Sequence, residues 1–263
     1  MGGIFCELGL VNSSDGVSYM EKKWDYQTKD QEFLGFIATP DLQPKEKRPV
    51  VLIAHTWLGC DAFAKEKARE IARLGWVGAA LDLYGKGQIA SQPQEASRLM
   101  LPLFSDRQEL LIRLLAGLQA IQKEPFVDSS KIVIIGFCFG GLAAIELFRS
   151  GASIRGAVSF HGLLGDTLGD TKAKTLPIAV SIQASLLVLH GYQDPLVSIE
   201  DRLQFEKEMD LAGVDWQLHL FGKAGHSFMN PDADQRQAGL YFEPQTSQRA
   251  WKSLTFFLHE KFL

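Results

Sequence analysis

Long apolar runs are missing from this chain of 263 residues, and cysteine is scarce. Wholly apolar stretches such as Ile132–Ile135 and Leu186–Leu189 fall far short of the ~18–20 residues that span a bilayer, so no membrane partner is expected. Three cysteines (Cys6, Cys60 and Cys138) are too few, and odd in number, for a disulfide framework, which points to a reducing, cytoplasmic setting. Neither charge sign dominates: 27 Lys+Arg against 31 Asp+Glu leave a net charge of −4, and no basic face invites nucleic acid. The opening MGGIFCELGLVNSSDG has no basic segment followed by an apolar one, so it does not read as a secretory leader. Gly2 meets the myristoylation pattern only in part, because Cys6 stands where that pattern wants Ser or Thr. There are no repeats and no low-complexity segment. No H-x-E-x-H-like or C-x-x-C spacing suggests a metal, and no cofactor is expected.

What is present is an ordinary globular composition. Apolar residues make up 46% and charged residues 22%, which excludes a disordered chain, a collagen-like repeat and a coiled coil. The polar stretches Pro40–Pro49 and Asp166–Thr175 read as surface loops rather than linkers. The chain is therefore read as a single domain over 1–263, with residues 1–17 a candidate N-terminal extension. Short β-branched runs predict strands at Val50–Ala54, Val77–Leu81, Ile132–Gly136, Ala157–Phe160, Leu186–His190 and Trp216–Phe221. The last is weaker, because Gln217 and His219 interrupt it. Met20–Tyr26 and Phe33–Thr39 predict an antiparallel hairpin turning at Lys29–Asp30. Helical spacing marks Ala62–Leu74, Arg107–Gln122, Leu142–Arg149, Ile199–Leu211 and Ser247–Phe262. Ala90–Ser105 is also helix-rich and is a candidate cap over the site. Strands alternating with helices predict a parallel α/β sheet covered on both faces, with function at the carboxyl ends of its strands.

One of those ends carries Gly136-Phe137-Cys138-Phe139-Gly140-Gly141, a nucleophile-elbow pattern with cysteine in place of serine. The turn from strand to helix strains the central residue, and side chains two before and two after would collide with it. Gly141 lets the helix pack close to the strand. A thiol there stands at a helix N-terminus, where the dipole favours thiolate. The alternative is a tight turn around a buried structural cysteine. A nucleophile of this kind needs an acid and then a base downstream. Asp194 follows the strand ending at His190, and His226 follows the strand ending at Phe221. His226 would take the thiol proton or pair with the thiolate, and Asp194 would fix its tautomer. The N–H groups of Phe139 and Trp57 are the candidate oxyanion donors. His161 and His190 are expected to hydrogen-bond loop backbone.

With these residues in view, the sequence resembles the dienelactone hydrolase family of α/β hydrolases. Ala54–Phe63 (AHTWLGCDAF), Asp82–Gly85 (DLYG), Ile135–Gly141 (IGFCFGG) and Gly225–Phe228 (GHSF) carry the resemblance, with Gly191–Val197 and Arg249–Leu258 in support. It covers roughly residues 33–262. The resemblance implies a Cys138–His226–Asp194 triad, an eight-stranded mostly parallel sheet, and hydrolysis of a small-molecule ester or lactone without metal or cofactor. Members that open dienelactone carry a glutamate where Thr56 stands, and arginines where this chain offers Lys86 and Asn230. A polar or less anionic ester, lactone or thioester is therefore expected. Tyr84, Phe137, Phe139, Trp57 and Phe228 are candidate pocket walls. Two other readings compete: a non-catalytic binding protein on a hydrolase fold, and a redox sensor pairing Cys60 with Cys138.

Overall fold

The computed structural model describes residues 9–12, 18–41, 43 and 46–263. Gly2 and Cys6, and with them the myristoylation reading, lie outside the described residues. In chain order the elements are β1 (Gly9–Asn12), β2 (Ser18–Gln27), β3 (Glu32–Pro40), β4 (Arg48–Ala54), α1 (Ala62–Arg73), β5 (Val77–Ala80), α2 (Pro93–Ser105), α3 (Arg107–Ile121), β6 (Val127–Phe137), α4 (Phe139–Arg149) and β7 (Gly156–Phe160). Then follow β8 (Thr167–Leu168), β9 (Thr171–Lys172), β10 (Ser185–Gly191), α5 (Ile199–Leu211), β11 (Asp215–Phe221), β12 (Asp234–Gln235), a 3₁₀ turn at Arg236–Ala238, β13 (Leu240–Tyr241) and α6 (Pro244–Phe262).

Nine strands form the main sheet in the order β1-β2-β3-β5-β4-β6-β7-β10-β11. The eight expected strands are all there, and β1 adds a short antiparallel strand on β2. From β5 through β4, β6, β7 and β10 to β11 the pairing is parallel. The hairpin β2–β3 turns where expected, with the Thr28 N–H donating to Gln31 O at 2.8 Å. Interior strands β7 and β10 are buried along their whole length, which is why their sequences do not alternate. β11 is an edge strand of this sheet, as is β1 at the other end. Its interruption by Gln217 and His219 follows from that position, where one flank meets water.

Side chains along each interior strand divide by parity between two cores. Leu52, Ile134, Leu186 and Val188 face α2, α3, α4 and α5. Val51, Ile53, Val133, Ile135, Leu187 and Leu189 face α1 and α6. Helix starts follow capping chemistry: Asp61 accepts from Ala64 N–H, Asp106 from Glu109 N–H and Ser198 from Asp201 N–H. α6 begins earlier than expected because Pro244 occupies its first turn and Glu243 caps it. α2 is not a free-standing cap. Its buried Met100, Leu103 and Phe104 join the core under α3 and α4.

Candidate active site

β6 passes directly into α4 through Cys138, whose φ of 57° and ψ of −117° lie outside the regions L residues favour. Holding it there costs about 1–3 kcal/mol, which the surrounding packing must supply. The glycines explain how, though not by clearing the nucleophile itself. A Cβ on Gly136 would stand 1.8 Å from Gly140 O, and one on Gly140 would stand 2.1 Å from Ala54 O. The two glycines therefore let α4 settle onto β6 and the end of β4. A Cβ on Gly141 would lie 2.7 Å from Ser159 Oγ, so this glycine brings α4 close to β7 rather than to β6, the strand expected. The Cys138 N–H donates to Phe160 O at 3.0 Å, which ties the turn to β7. The thiol is free and half-buried at the first turn of α4.

His226 reaches the same edge from the loop after β11. Its backbone is pinned between Gly239 O, which accepts its N–H at 2.8 Å, and Tyr241 N–H, which donates to its carbonyl at 3.0 Å. Its Nδ1–H donates to Asp194 Oδ2 at 2.8 Å. The other oxygen of Asp194 accepts Leu196 N–H at 2.9 Å, so the wholly buried carboxylate is held at both ends. Nε2 of His226 has no hydrogen-bond partner among the described residues. Burial alone would pull this imidazole's pKa down. The charge of Cys138, and the hydrogen bond and charge of Asp194, outweigh burial and hold it at about 10.

His161 and His190 do not make the loop-backbone bonds expected of their rings. His161 packs edge-on against His226, with ring centroids 5.0 Å apart, and neither of its ring nitrogens has a partner among the described residues. His190 turns Nε2 toward Asp194 Oδ2 at 3.7 Å. Burial pulls His190 down to about 4 and His161 well below the ordinary range. Both rings are neutral at pH 7, so positive charge beside Asp194 collects on His226.

The pocket candidates divide. Tyr84 lies within reach of the thiol: burial followed by the charge of Cys138 raises its phenol, its ring stacks on Phe139 at 6.3 Å, and its hydroxyl donates to Trp57 O at 2.8 Å. Thr56 turns its hydroxyl back to accept Leu58 N–H at 3.2 Å. Phe137 is no pocket wall. It is buried in the core under α1, stacked on Phe160 at 4.7 Å. Phe228 belongs to the same core and packs under His161. Lys86 is exposed on a turn over β3, where its N–H donates to Glu32 O at 2.9 Å. Asn230 Oδ1 accepts Asp232 N–H within its own turn at 3.1 Å. Cys60 is buried in the core under α1, with its thiol pushed up to about 12 by burial, whereas Cys138 packs against the opposite core. The two thiols are therefore not a disulfide pair. Among the described residues no three His, Cys, Asp or Glu side chains are arranged to hold a metal ion.

Two features escaped the sequence reading. Asp82 is wholly buried and accepts four backbone N–H groups: Tyr84 and Gly85 on Oδ1 (3.0 and 2.8 Å), Leu34 and Gly87 on Oδ2 (3.0 and 2.8 Å). Tyr26 O–H donates to Asp82 O at 2.7 Å. His55, also wholly buried, binds backbone through both ring nitrogens. An aspartate beginning a turn and a histidine ending a strand carry no sequence signal for these roles.

The sheet order, the helices on its two faces and the sharp turn after β6 define an α/β hydrolase. Within that class the chain belongs to the dienelactone hydrolase family, whose profile matches residues 33–262. A putative carboxymethylenebutenolidase of Aquifex aeolicus is 26% identical over 89% of this chain and 96% of its own length. A probable 2-oxo-3-(5-oxofuran-2-ylidene)propanoate lactonase of a Bradyrhizobium species is 25% identical over 89% of this chain and 92% of its own. The crystal structure of P91, a dienelactone hydrolase-like promiscuous phosphotriesterase from metagenomic libraries, superposes with a TM-score of 0.85. It is 32% identical and covers 93% of this chain and 99% of its own. Among the described residues no helix is long and apolar enough to cross a membrane.

Proposed function

We propose that this chain, acting as one domain, hydrolyses a carboxylic ester, lactone or thioester of low anionic charge through Cys138, His226 and Asp194. The observation that carries the reading is the 2.8 Å His226–Asp194 hydrogen bond, which leaves Nε2 free for the Cys138 thiol, whose charge acts on the same imidazole from a strained strand-to-helix turn. The Cys138 thiolate attacks the carbonyl carbon, and the carbonyl oxygen becomes an oxyanion. Among the described residues no acceptor takes the N–H of Trp57 or Phe139, which supports both as donors to it. The tetrahedral species collapses. The leaving oxygen or sulfur takes the proton from His226 Nε2, and an acyl thioester remains on Cys138. His226 then accepts a proton from water as that water attacks the thioester, and the thiolate is expelled.

The substrate class follows from charge. Lys86 is exposed and Asn230 is uncharged, so neither position carries the arginine with which, by the resemblance, dienelactone-opening members hold the substrate carboxylate. The His226–Asp194 hydrogen bond and the charge of Cys138 acting on that imidazole support a catalytic reading over a receptor role. Separation of the two thiols leaves the redox reading without its resolving partner. Hydrolysis of p-nitrophenyl acetate by the wild type and by Cys138→Ala tests the proposal. Turnover lost in the variant supports it, and wild-type turnover that survives in Cys138→Ala refutes it. A wild type inert to esters, lactones and thioesters alike would favour the binding reading.

A further inference from the structure

Two successive carbonyls at the end of β4 are each held by an aromatic side chain. Thr56 O lies 2.5 Å from His55 Nδ1, and Trp57 O accepts the Tyr84 O–H at 2.8 Å. The proton on the His55 ring is fixed by its partners. A carbonyl only accepts, so Nδ1 carries the hydrogen. Leu83 N–H only donates, and it lies 3.1 Å from Nε2, so Nε2 is bare. Full burial also favours that neutral ring.

The Thr56 carbonyl and the Trp57 N–H are the two ends of one planar peptide unit. A donor on the carbonyl fixes the plane, and by polarising the amide it strengthens the N–H at the other end. Neighbouring amides are already used: Leu58 N–H goes to Thr56 Oγ1 at 3.2 Å and Gly59 N–H to Thr56 O at 3.4 Å. The segment is pressed against the elbow. A Cβ on Gly140 would lie 2.5 Å from His55 O, and the His55 and Phe139 rings stand 6.4 Å apart.

We propose that His55 and Tyr84 are positioning residues that clamp the backbone of residues 56 to 58 and aim the Trp57 N–H at the oxyanion formed on Cys138. The assignment rests on the hydrolase reading. Neither side chain touches the reacting atoms. His55 sets the plane of the donor amide, and Tyr84 sets the next peptide along.

The test compares two reactions of Cys138. Acylation by p-nitrophenyl acetate builds an oxyanion, whereas alkylation by iodoacetamide needs the thiolate but no oxyanion donor. His55→Leu and Tyr84→Phe should each slow the acylation burst about 10- to 100-fold, with alkylation unchanged within about twofold. His55→Asn, which places an amide N–H near the position of Nδ1, should recover part of the loss. An acylation rate unchanged in a folded variant overturns the clamp, as does an equal loss in both reactions. If His55→Leu does not fold, Tyr84→Phe decides alone, since it keeps the ring and removes only the hydroxyl. The ¹⁵N spectrum of the wild type is a separate arm. A protonated Nδ1 on His55 supports the clamp, and a protonated Nε2 overturns it even in a protein that hydrolyses nothing. A wild type that alkylates but never acylates would sink the hydrolase reading, and the tautomer would still judge the clamp.

Discussion

His190 Nε2 stands 3.7 Å from Asp194 Oδ2, the oxygen that His226 binds at 2.8 Å. One carboxylate thus faces two imidazoles of opposite character. His190 is held down at about 4 by burial, while His226 is held up at about 10. Replacing the carboxylate by an amide should remove this distinction. Asp194→Asn is expected to fold and to lose roughly 10³- to 10⁴-fold in turnover, as an amide in this role does in a serine triad. An ester assay showing less than a tenfold loss would remove Asp194 from its assigned role.

The raised pKa of His226 also fixes the sign of a stability change with pH. Between the unfolded value near 6.5 and about 10, the folded protein holds a proton on His226 that the unfolded chain has lost. This contribution is fully present below about 6.5 and disappears as pH rises through about 10. Cys138→Ala removes the largest raising cause. In that variant the His226 resonance should titrate at lower pH. An NMR titration of the His226 ring checks this, and an unchanged titration in Cys138→Ala would exclude a thiolate–imidazolium pair.

Arg107 and Glu146 form a second buried pair, with their side chains 2% and 1% exposed and 3.9 Å apart. Glu146 also accepts Leu176 N–H at 2.9 Å, which ties α4 to the segment between β7 and β10. Glu146→Gln would leave the Arg107 charge buried without its counter-ion. A loss of about 3–5 kcal/mol in denaturant unfolding is expected.

Gly140→Ala should be among the most damaging single-methyl changes in the chain. Its Cβ would enter to within 2.1 Å of the Ala54 carbonyl, where backbone rather than a mobile side chain must yield. About 3 kcal/mol or more of stability should be lost, together with ester turnover. A folded, fully active Gly140→Ala enzyme would mean that β4 and the elbow are less tightly joined than the contact implies.

Cys60→Ala, by contrast, should leave ester turnover within about twofold, since the thiol lies in the core away from Cys138. Mild peroxide should not generate a Cys60–Cys138 disulfide in the wild type, and mass spectrometry after alkylation of free thiols shows this directly.

How much of this was legible in the sequence depends on what each residue's role requires. Parity along Val50–Ala54 and Ile132–Gly136 announces a strand buried on both faces, and the sheet follows. The places of Cys138, Asp194 and His226 just beyond the ends of parallel strands were legible because each follows such an apolar run. The aromatic candidates were not separable in the same way. Phe137 and Phe139 flank the same cysteine, yet one belongs to the last strand residue and the other to the first helix residue, so they enter opposite cores. Lys86 and Asn230 went astray because register after a turn is set by backbone: Lys86 adopts φ 55°, and Asn230 is captured by its own turn. His55 and Asp82 were silent because their partners are main-chain groups, which every sequence has.

The Asp82 turn has a consequence for which changes this fold can absorb. Cys138, Asp194 and His226 all hang from the parallel half of the sheet, after β6, β10 and β11. The antiparallel strands β2 and β3 supply none of them, and at first sight are free to drift. Yet Leu34 on β3 and Tyr26 on β2 both grip Asp82, whose carboxylate organises the turn carrying Tyr84, and Tyr84 holds the Trp57 carbonyl. A single carboxylate thus couples the antiparallel half of the sheet to the geometry of the proposed site. Substitutions in the β2–β3 hairpin should therefore separate into two kinds: those that shift the melting point alone, and those near Tyr26 and Leu34 that also shift kcat.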